Sequence, residues 1–241
     1  MDRKHHKERK RMQRGITLVE LMIAMAAGVV VMLALYAATE MGQRSSVAVE
    51  RKIIAQQDAR AALDIMALEI RMASYNSNYA GGIWVEGPND PNCGTITANQ
   101  GYKGIQEAGA NSITVEMDID ESSAIGDSTN EIIRYNYVTA QQYITRQTNC
   151  GGGAFAFLGN TSANQREVRV VNNSVGIPIF RYYDGTGVEI TQANLPLMIP
   201  SIRRIDITLV VDTEAVDPSL QKRRRTIHST SVIPRNHAAI Y

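Results

Sequence analysis

The longest pattern in the sequence is an apolar run near its beginning. Between residues 16 and 39, Glu20 is the only charged side chain. A helix of this length spans roughly 36 Å at about 1.5 Å per residue, and the hydrocarbon core of a bilayer is about 30 Å thick. A buried core helix is usually shorter and carries a polar stripe. The run therefore predicts a membrane-spanning helix.

The helix is predicted to continue beyond the apolar run as an amphipathic segment. Charged residues separate small and apolar ones that recur at helical spacing: Ala59, Ala62, Leu63, Met66, Ala67 and Ile70. No proline interrupts the chain before Pro88. We therefore expect one helix from Ile16 to about Ser74, and Gly28 and Gly42 are the positions where it would bend most easily.

Past the helix, shorter patterns predict a β-rich head. We expect strands at Ser112–Met117, Glu131–Val138, Gln142–Arg146, Ile179–Tyr183, Ile202–Val211 and Arg225–Ile233. The last two alternate clearly and should pair as a hairpin through residues 212–222. The predicted fold class is α+β, with one long N-terminal helix packed on an antiparallel β-sheet head.

Charge is concentrated ahead of the apolar run. Residues 1–14 contain seven Lys or Arg, and the rest of the chain is mildly acidic. Basic residues beside a span keep that end in the cytoplasm, so everything after Glu40 should lie on the far side. A secretory signal peptide would have an apolar run of only about 7–15 residues. A basic arm for nucleic acid is disfavoured because a membrane span follows it.

The junction between the basic segment and the span reads Arg-Gly-Ile-Thr-Leu-Val-Glu-Leu from residue 14. It resembles the class III signal of type IV pilins and type II secretion pseudopilins. The resemblance implies that a prepilin peptidase cuts after Gly15 and methylates the new amine of Ile16, and that Glu20 is the acid used in assembly. Phe is the commonest first mature residue in that family, so Ile16 is a mild departure.

Physical chemistry supports the same residues. Gly15 has no Cβ, so an extended backbone can approach an active site closely. A carboxylate within a bilayer costs about 2–3.5 kcal/mol near the centre of a span and less near the interface. Glu20 therefore needs a partner, and the α-amino group of Ile16, on its own or a neighbouring chain, is the natural one. The alternative is an acid that snorkels to the interface.

Downstream segments extend the resemblance to PilW-type minor pilins and to the related pseudopilin J. They are IIRYNYV from residue 132, IFRYYDGTG from 179, IRRIDITLVV from 202 and TSVIPRN from 230. The resemblance implies a minor pilin that helps to initiate and assemble a type IV pilus. The expected partners are prepilin peptidase, other minor pilins, the major pilin, the inner-membrane assembly platform and membrane lipid. The rivals are a pseudopilin J-like tip subunit and, from another class, a single-span anchored periplasmic enzyme or sensor.

The expected organisation has four parts. A leader, 1–15, is removed; the span covers 16–39; the amphipathic half of the helix covers 40–74; and the head covers 75–241. The protein should cross the inner membrane once, with its leader in the cytoplasm and its head in the periplasm, before it enters a pilus at the cell surface. Translation could start at Met1 or Met12.

The remaining candidate chemistry is sparse. Cys93 and Cys150 lie in the predicted exported head, where a disulfide is expected and two free thiols are the alternative. Acidic groups around residues 118–127 and 184–189 lack the spacing of an EF-hand loop and suggest solvated turns. We expect no catalytic residues, no cofactor and no metal site. The basic run at 222–225 could contact DNA or an acidic subunit, but a solvated strand start is favoured and nucleic acid is not an expected partner.

Overall fold

The computed structural model describes residues 15–85, 99–149, 153–218 and 220–238. The chain divides into two compact units, Met1–Val47 and Ala48–Tyr241. Helix α1, Leu18–Arg71, begins in the first unit and ends in the second. It continues without a break through Gly28 and Gly42, since glycine permits a bend without requiring one.

The second unit confirms the predicted α+β class, and its antiparallel β head consists of two sheets. The first has its strands in chain order: β1 Ile105–Ala108, β2 Ser112–Glu116, β3 Ile132–Val138, β4 Tyr143–Thr148 and β5 Phe155–Leu158. The second contains β6 Val168–Val170, β7 Phe180–Tyr183, β8 Glu189–Ile190, β9 Arg204–Thr213 and β10 Arg225–Val232. Its order is β10-β9-β7-β8, and β6 also pairs with β9. A short helix, α2 Leu195–Met198, precedes β9.

All six predicted strands are present, and the predicted hairpin is the β9–β10 pair, in continuous register from Arg225 opposite Asp212 to Val232 opposite Ile205. Four strands were not predicted: β1, β5, β6 and β8. Each has only two to four residues, too few for an alternating pattern to stand out.

The larger of two hydrophobic cores among the described residues joins the second half of α1 to both sheets, and the smaller one surrounds Trp84 and Ile132. Helix residues from Ala55 to Ile70 share the larger core with the inward faces of β3 and β9. Ile207 and Leu209 on β9 are fully buried, while Thr208 between them is half-buried, as the alternation predicted. Alanine at Ala59 and Ala62 lets the sheets approach the helix closely.

An ion pair fastens the end of α1 to the first sheet. Arg146 on β4 donates to both carboxylate oxygens of Glu69, over 2.7 and 3.2 Å, and also to the side chain of Asn130. The hydroxyl of Tyr135 on β3 donates to the same carboxylate. Burial and the neighbouring Glu69 charge raise the pKa of Tyr135, which keeps this hydroxyl a donor.

The C-terminal turn Arg235–Ala238 docks on the residues that follow α1 through a buried histidine. The ring of His237 contacts the hydroxyl of Ser74 over 2.9 Å and the carbonyl of Ile199 over 2.8 Å. Since a carbonyl only accepts, Nε2 carries the proton and Nδ1 accepts from Ser74. Ser74 in turn accepts from the backbone N–H of Gly104. A Cβ on Gly104 would lie 2.3 Å from the Ser74 nitrogen, so only glycine fits.

We expect the stability of the head to fall between about pH 6.5 and pH 4 because of His237. Burial lowers the pKa of its ring to about 4, from a usual value of 6.5. Below pH 6.5 the unfolded chain therefore takes up a proton that the folded ring resists. The free energy of unfolding should drop by up to about 3 kcal/mol as the pH falls through this range. Urea unfolding of the full chain in detergent, followed by circular dichroism at several pH values, measures the drop.

The variant His237→Gln tests the source of this pH dependence, since glutamine does not titrate. The variant should be less stable than the wild type at neutral pH, but its free energy of unfolding should fall less steeply as the pH drops from 6.5 to 4. His228→Gln is the matched control: His228 is only half-buried, and removing it should leave most of the slope. An unchanged slope in His237→Gln would contradict the assignment.

Candidate assembly site at the start of the N-terminal helix

The residues on either side of the predicted cleavage point form an open segment. Gly15, Ile16 and Thr17 precede α1 without regular secondary structure, and all three are exposed. A Cβ built on Gly15 would meet no heavy atom within 4 Å. Neither side of the Gly15–Ile16 bond is therefore covered by another described part of the chain.

Glu20 and Thr17 close the first turn of α1 by three hydrogen bonds, which run in both directions between the two residues. The backbone N–H of Glu20 donates to the hydroxyl oxygen of Thr17 over 3.2 Å. The backbone N–H of Thr17 donates to the carboxylate of Glu20 over 2.9 Å, and the Thr17 hydroxyl donates to the same oxygen over 3.0 Å. This arrangement is a capping box, which satisfies backbone donors that have no partner at a helix start.

Thr17 was missed by the sequence reasoning, although its signal was present. A Thr three residues before a Glu, ahead of an apolar run, is the sequence pattern of a capping box. Glu20 consequently has a helix-capping role in addition to the two interpretations considered above, assembly and snorkelling. Its carboxylate is exposed, so its second oxygen can still accept hydrogen bonds from another group.

The apolar run of α1 is exposed along its whole length. Leu18, Met32 and Tyr36 are each about 70% exposed, and none of the most apolar stretch is buried. Among the described helices, α1 is the one long and apolar enough to cross a membrane, judged by length and composition. Such a continuous apolar surface is unusual on a protein in water and is consistent with membrane anchoring.

The acidic groups of the head hold loops. Asp118 accepts from the backbone N–H groups of Ser122 and Ser123, each over 3.0 Å. Asp118, Asp120 and Glu131 bring carboxylate oxygens within 4.8 Å of one another. Glu131 accepts backbone N–H groups within its own loop, so these oxygens already have partners, and we propose no metal site there.

The second acidic group is also a turn. Asp184 accepts from the backbone N–H groups of Thr186 and Val188, over 2.8 and 3.0 Å. Hydrogen bonds from the Thr186 side chain and the Val188 backbone lower the pKa of this exposed carboxyl. Cys93 and Cys150 lie outside the described residues, so their pairing stays a prediction.

Comparison with known proteins agrees with the N-terminal geometry. Residues 10–36 match the protein-family description "Prokaryotic N-terminal methylation motif". A solved type IV-like pilin from Thermus thermophilus is similar at 13% identity with a TM-score of 0.41, over 76% of this chain and 98% of that one. At this TM-score the likeness adds no support of its own. No curated protein sequence matches the chain.

The matched segment contains the open Gly15–Ile16 bond, the Thr17–Glu20 capping box and the first part of the exposed apolar run. An antiparallel β head follows, packed on the second half of the same helix. The chain therefore carries the N-terminal methylation motif of prokaryotic proteins at the start of a long apolar helix, ahead of an antiparallel β head.

Proposed function

We propose that the protein is a minor pilin that takes part in the initiation and assembly of a type IV pilus through its N-terminal helix. The observation that carries the proposal is the exposed Gly15–Ile16 junction directly before the Thr17–Glu20 capping box. In this proposal the prepilin peptidase removes residues 1–15 on the cytoplasmic side and methylates the amine of Ile16. The head lies in the periplasm, and the mature subunit then enters the pilus.

Assembly would use the free carboxylate oxygen of Glu20. The capping box occupies one oxygen, and the amine exposed by cleavage lies one residue before Thr17. A neighbouring subunit's amine can therefore pair with the second oxygen inside the packed helices, where a charge-assisted bond is stronger than on a surface. Such a pair sets the axial register of subunits, which is the best-attested role of a buried polar contact.

The head supports a minor rather than a major subunit. Major pilins are generally shorter, whereas this chain has 241 residues and two five-stranded sheets. The expected partners are the other minor pilins, the major pilin and the inner-membrane assembly platform. The same mechanics would serve a pseudopilin J-like tip subunit in type II secretion.

A deletion strain tests the proposal. Loss of the gene should abolish or strongly reduce surface pili while secretion of type II substrates continues. The full-length gene should restore piliation, and the tagged protein should co-purify with other pilins from membranes. Normal pili with failed secretion would instead favour the pseudopilin role, and two normal phenotypes would refute both.

We also predict a disulfide between Cys93 and Cys150. The proposed periplasmic location is oxidising, and the chain contains no other cysteine. Closing a loop of this length would stabilise the head by up to about 4 kcal/mol in the chain-entropy account. Non-reducing peptide mapping of protein from the cell envelope should recover the two cysteines in one cross-linked species. Recovery of both as free thiols would refute the prediction.

A further inference from the structure

A cluster of basic side chains lies where the connection between β9 and β10 approaches Lys52 of α1. A shallow pocket of about 410 Å³ is lined by Lys52, Leu220, Lys222, Arg223, Arg224 and Arg225. We call these six residues the basic patch. Five of them are cationic, so the electrostatic character of the pocket depends on how many have acidic partners.

Two of the five cations are neutralised locally. Arg224 forms an ion pair with Asp217 over 2.5 Å, and Arg225 binds both carboxylate oxygens of Asp212 over 2.8 and 2.9 Å. Both acids are nearly buried, so these pairs hold the start of β10 and the connection in place. This part of the basic run is the strand start that the sequence favoured.

The other three cations have no acidic partner among the described residues. Lys52 extends from α1, and Lys222 and Arg223 extend from the connection toward the same pocket. Arg223 donates to the backbone carbonyl of Glu214 over 2.9 Å, which orients its guanidinium without neutralising it. The patch therefore carries uncompensated positive charge, which indicates an anionic partner.

Apolar side chains accompany the charge. Leu220 is 56% exposed and Val216 is 43% exposed. The turn that carries Leu220 is closed by the backbone pairing of Asp217 with Lys222, whose N–H and carbonyl lie 2.9 Å apart. Exposed apolar residues beside lysine and arginine suit the boundary between lipid headgroups and acyl chains better than they suit water.

The chain tethers this patch close to a bilayer. Only residues 40–47 separate the apolar run from the second unit, and Lys52 follows within the next two turns of α1. Lys52 lies thirteen residues after Thr39, and a helical stretch of that length rises about 20 Å, which is roughly two Debye lengths at ordinary ionic strength.

We infer that the basic patch binds the anionic phospholipid headgroups of the same membrane that holds the apolar run, with Leu220 entering the interfacial layer. The inference rests on the membrane anchoring in the proposed function but not on pilus assembly. It assigns the patch a role before assembly, when contact with lipid would hold the head at the membrane surface. Extraction of the subunit would then break these contacts.

Fluorescence of the full chain in nanodiscs tests the inference. The variant Leu220→Trp places an indole at the tip, while the native Trp84 is buried and supplies a constant background. Nanodiscs contain brominated phosphatidylcholine alone or an equal mixture with brominated phosphatidylglycerol. We expect quenching to be about twofold stronger in the anionic discs and to weaken as salt is added.

Charge variants identify the residues responsible. In the Leu220→Trp background, Lys52→Glu with Lys222→Glu should remove the extra quenching. Arg71→Glu is the matched control, because Arg71 is an exposed cation at the C-terminal end of α1 and does not line the pocket. It should leave the signal unchanged. Circular dichroism of each variant confirms that the head remains folded.

Two results would overturn the inference. The first is equal quenching in both kinds of disc, with no effect of the Lys52 and Lys222 changes. The second is no quenching by the anionic discs together with a salt-dependent change on adding double-stranded DNA, which would assign the patch to nucleic acid. Pilus assembly is measured separately, so failure here leaves the proposed function standing.

Discussion

Gly15→Val is expected to leave the leader attached and to stop assembly. A β-branched side chain next to the Gly15–Ile16 bond obstructs the close approach that glycine allows, and a displacement of this kind slows an enzymatic step by about 100-fold. The chain itself should tolerate the change, because an added Cβ at Gly15 meets no heavy atom within 4 Å. Intact-mass spectrometry of membrane-extracted protein should therefore show the leader retained in the variant.

The wild-type protein supplies the reference mass. It should begin at Ile16 with one methyl group on its amine, whichever methionine starts translation. Gly42→Val is the matched control, since Gly42 also has open space around a Cβ but lies far from the junction. Its leader should be removed normally. Normal removal in Gly15→Val, or a wild-type N-terminus near Ala38 or Val49, would refute the class III assignment.

Removing the charge of Glu20 is expected to reduce piliation severely while the protein level in the membrane stays normal. Glu20→Gln is the sharpest change, because glutamine can also occupy the third position of a capping box. It keeps the hydrogen bond from Thr17 but lacks the negative charge that would pair with an amine. Since the span becomes less polar, membrane insertion should hold or improve. Immunoblots of sheared pili and of membranes measure the two effects.

Thr17→Ala is the matched control for the capping box. It removes the hydroxyl that accepts from the Glu20 backbone, at a cost of about 1 kcal/mol for the helix start, but it keeps the charge. We expect a mild defect from Thr17→Ala and a severe one from Glu20→Gln. Glu20→Asp should be intermediate, because the charge remains while its reach shortens.

The opposite ranking of the two piliation defects would assign Glu20 a different role. If Glu20→Gln assembles like wild type and Thr17→Ala does not, Glu20 acts as a helix cap and the register-setting role is wrong. If both variants form pili as the wild type does, Glu20 is an acid that snorkels to the membrane interface. If the Glu20→Gln protein is degraded in the membrane, the substitution impairs folding or insertion rather than assembly.

Local sequence patterns were sufficient to predict the elements that depend on neighbouring residues. The helix follows from an uncharged run joined to an amphipathic one, and its observed end at Arg71 lies three residues before the predicted one. The β9–β10 pair follows from period-two alternation, because side chains of a strand point to opposite faces in turn. The capping box could also have been predicted, since Thr17 and Glu20 are separated by only one helical turn.

Contacts between distant parts of the chain were decided only by the tertiary structure. The pairing of Glu69 with Arg146 joins residues 77 positions apart, and that of Ser74 with His237 spans 163. No local pattern specifies such partners, since they depend on how the sheets close over the helix. For the same reason, the sequence showed the basic run at 222–225 but not which cations are neutralised. Asp217 and Asp212 pair with Arg224 and Arg225 because a buried carboxylate requires a cation beside it. Lys222 lines the same pocket as Lys52 instead.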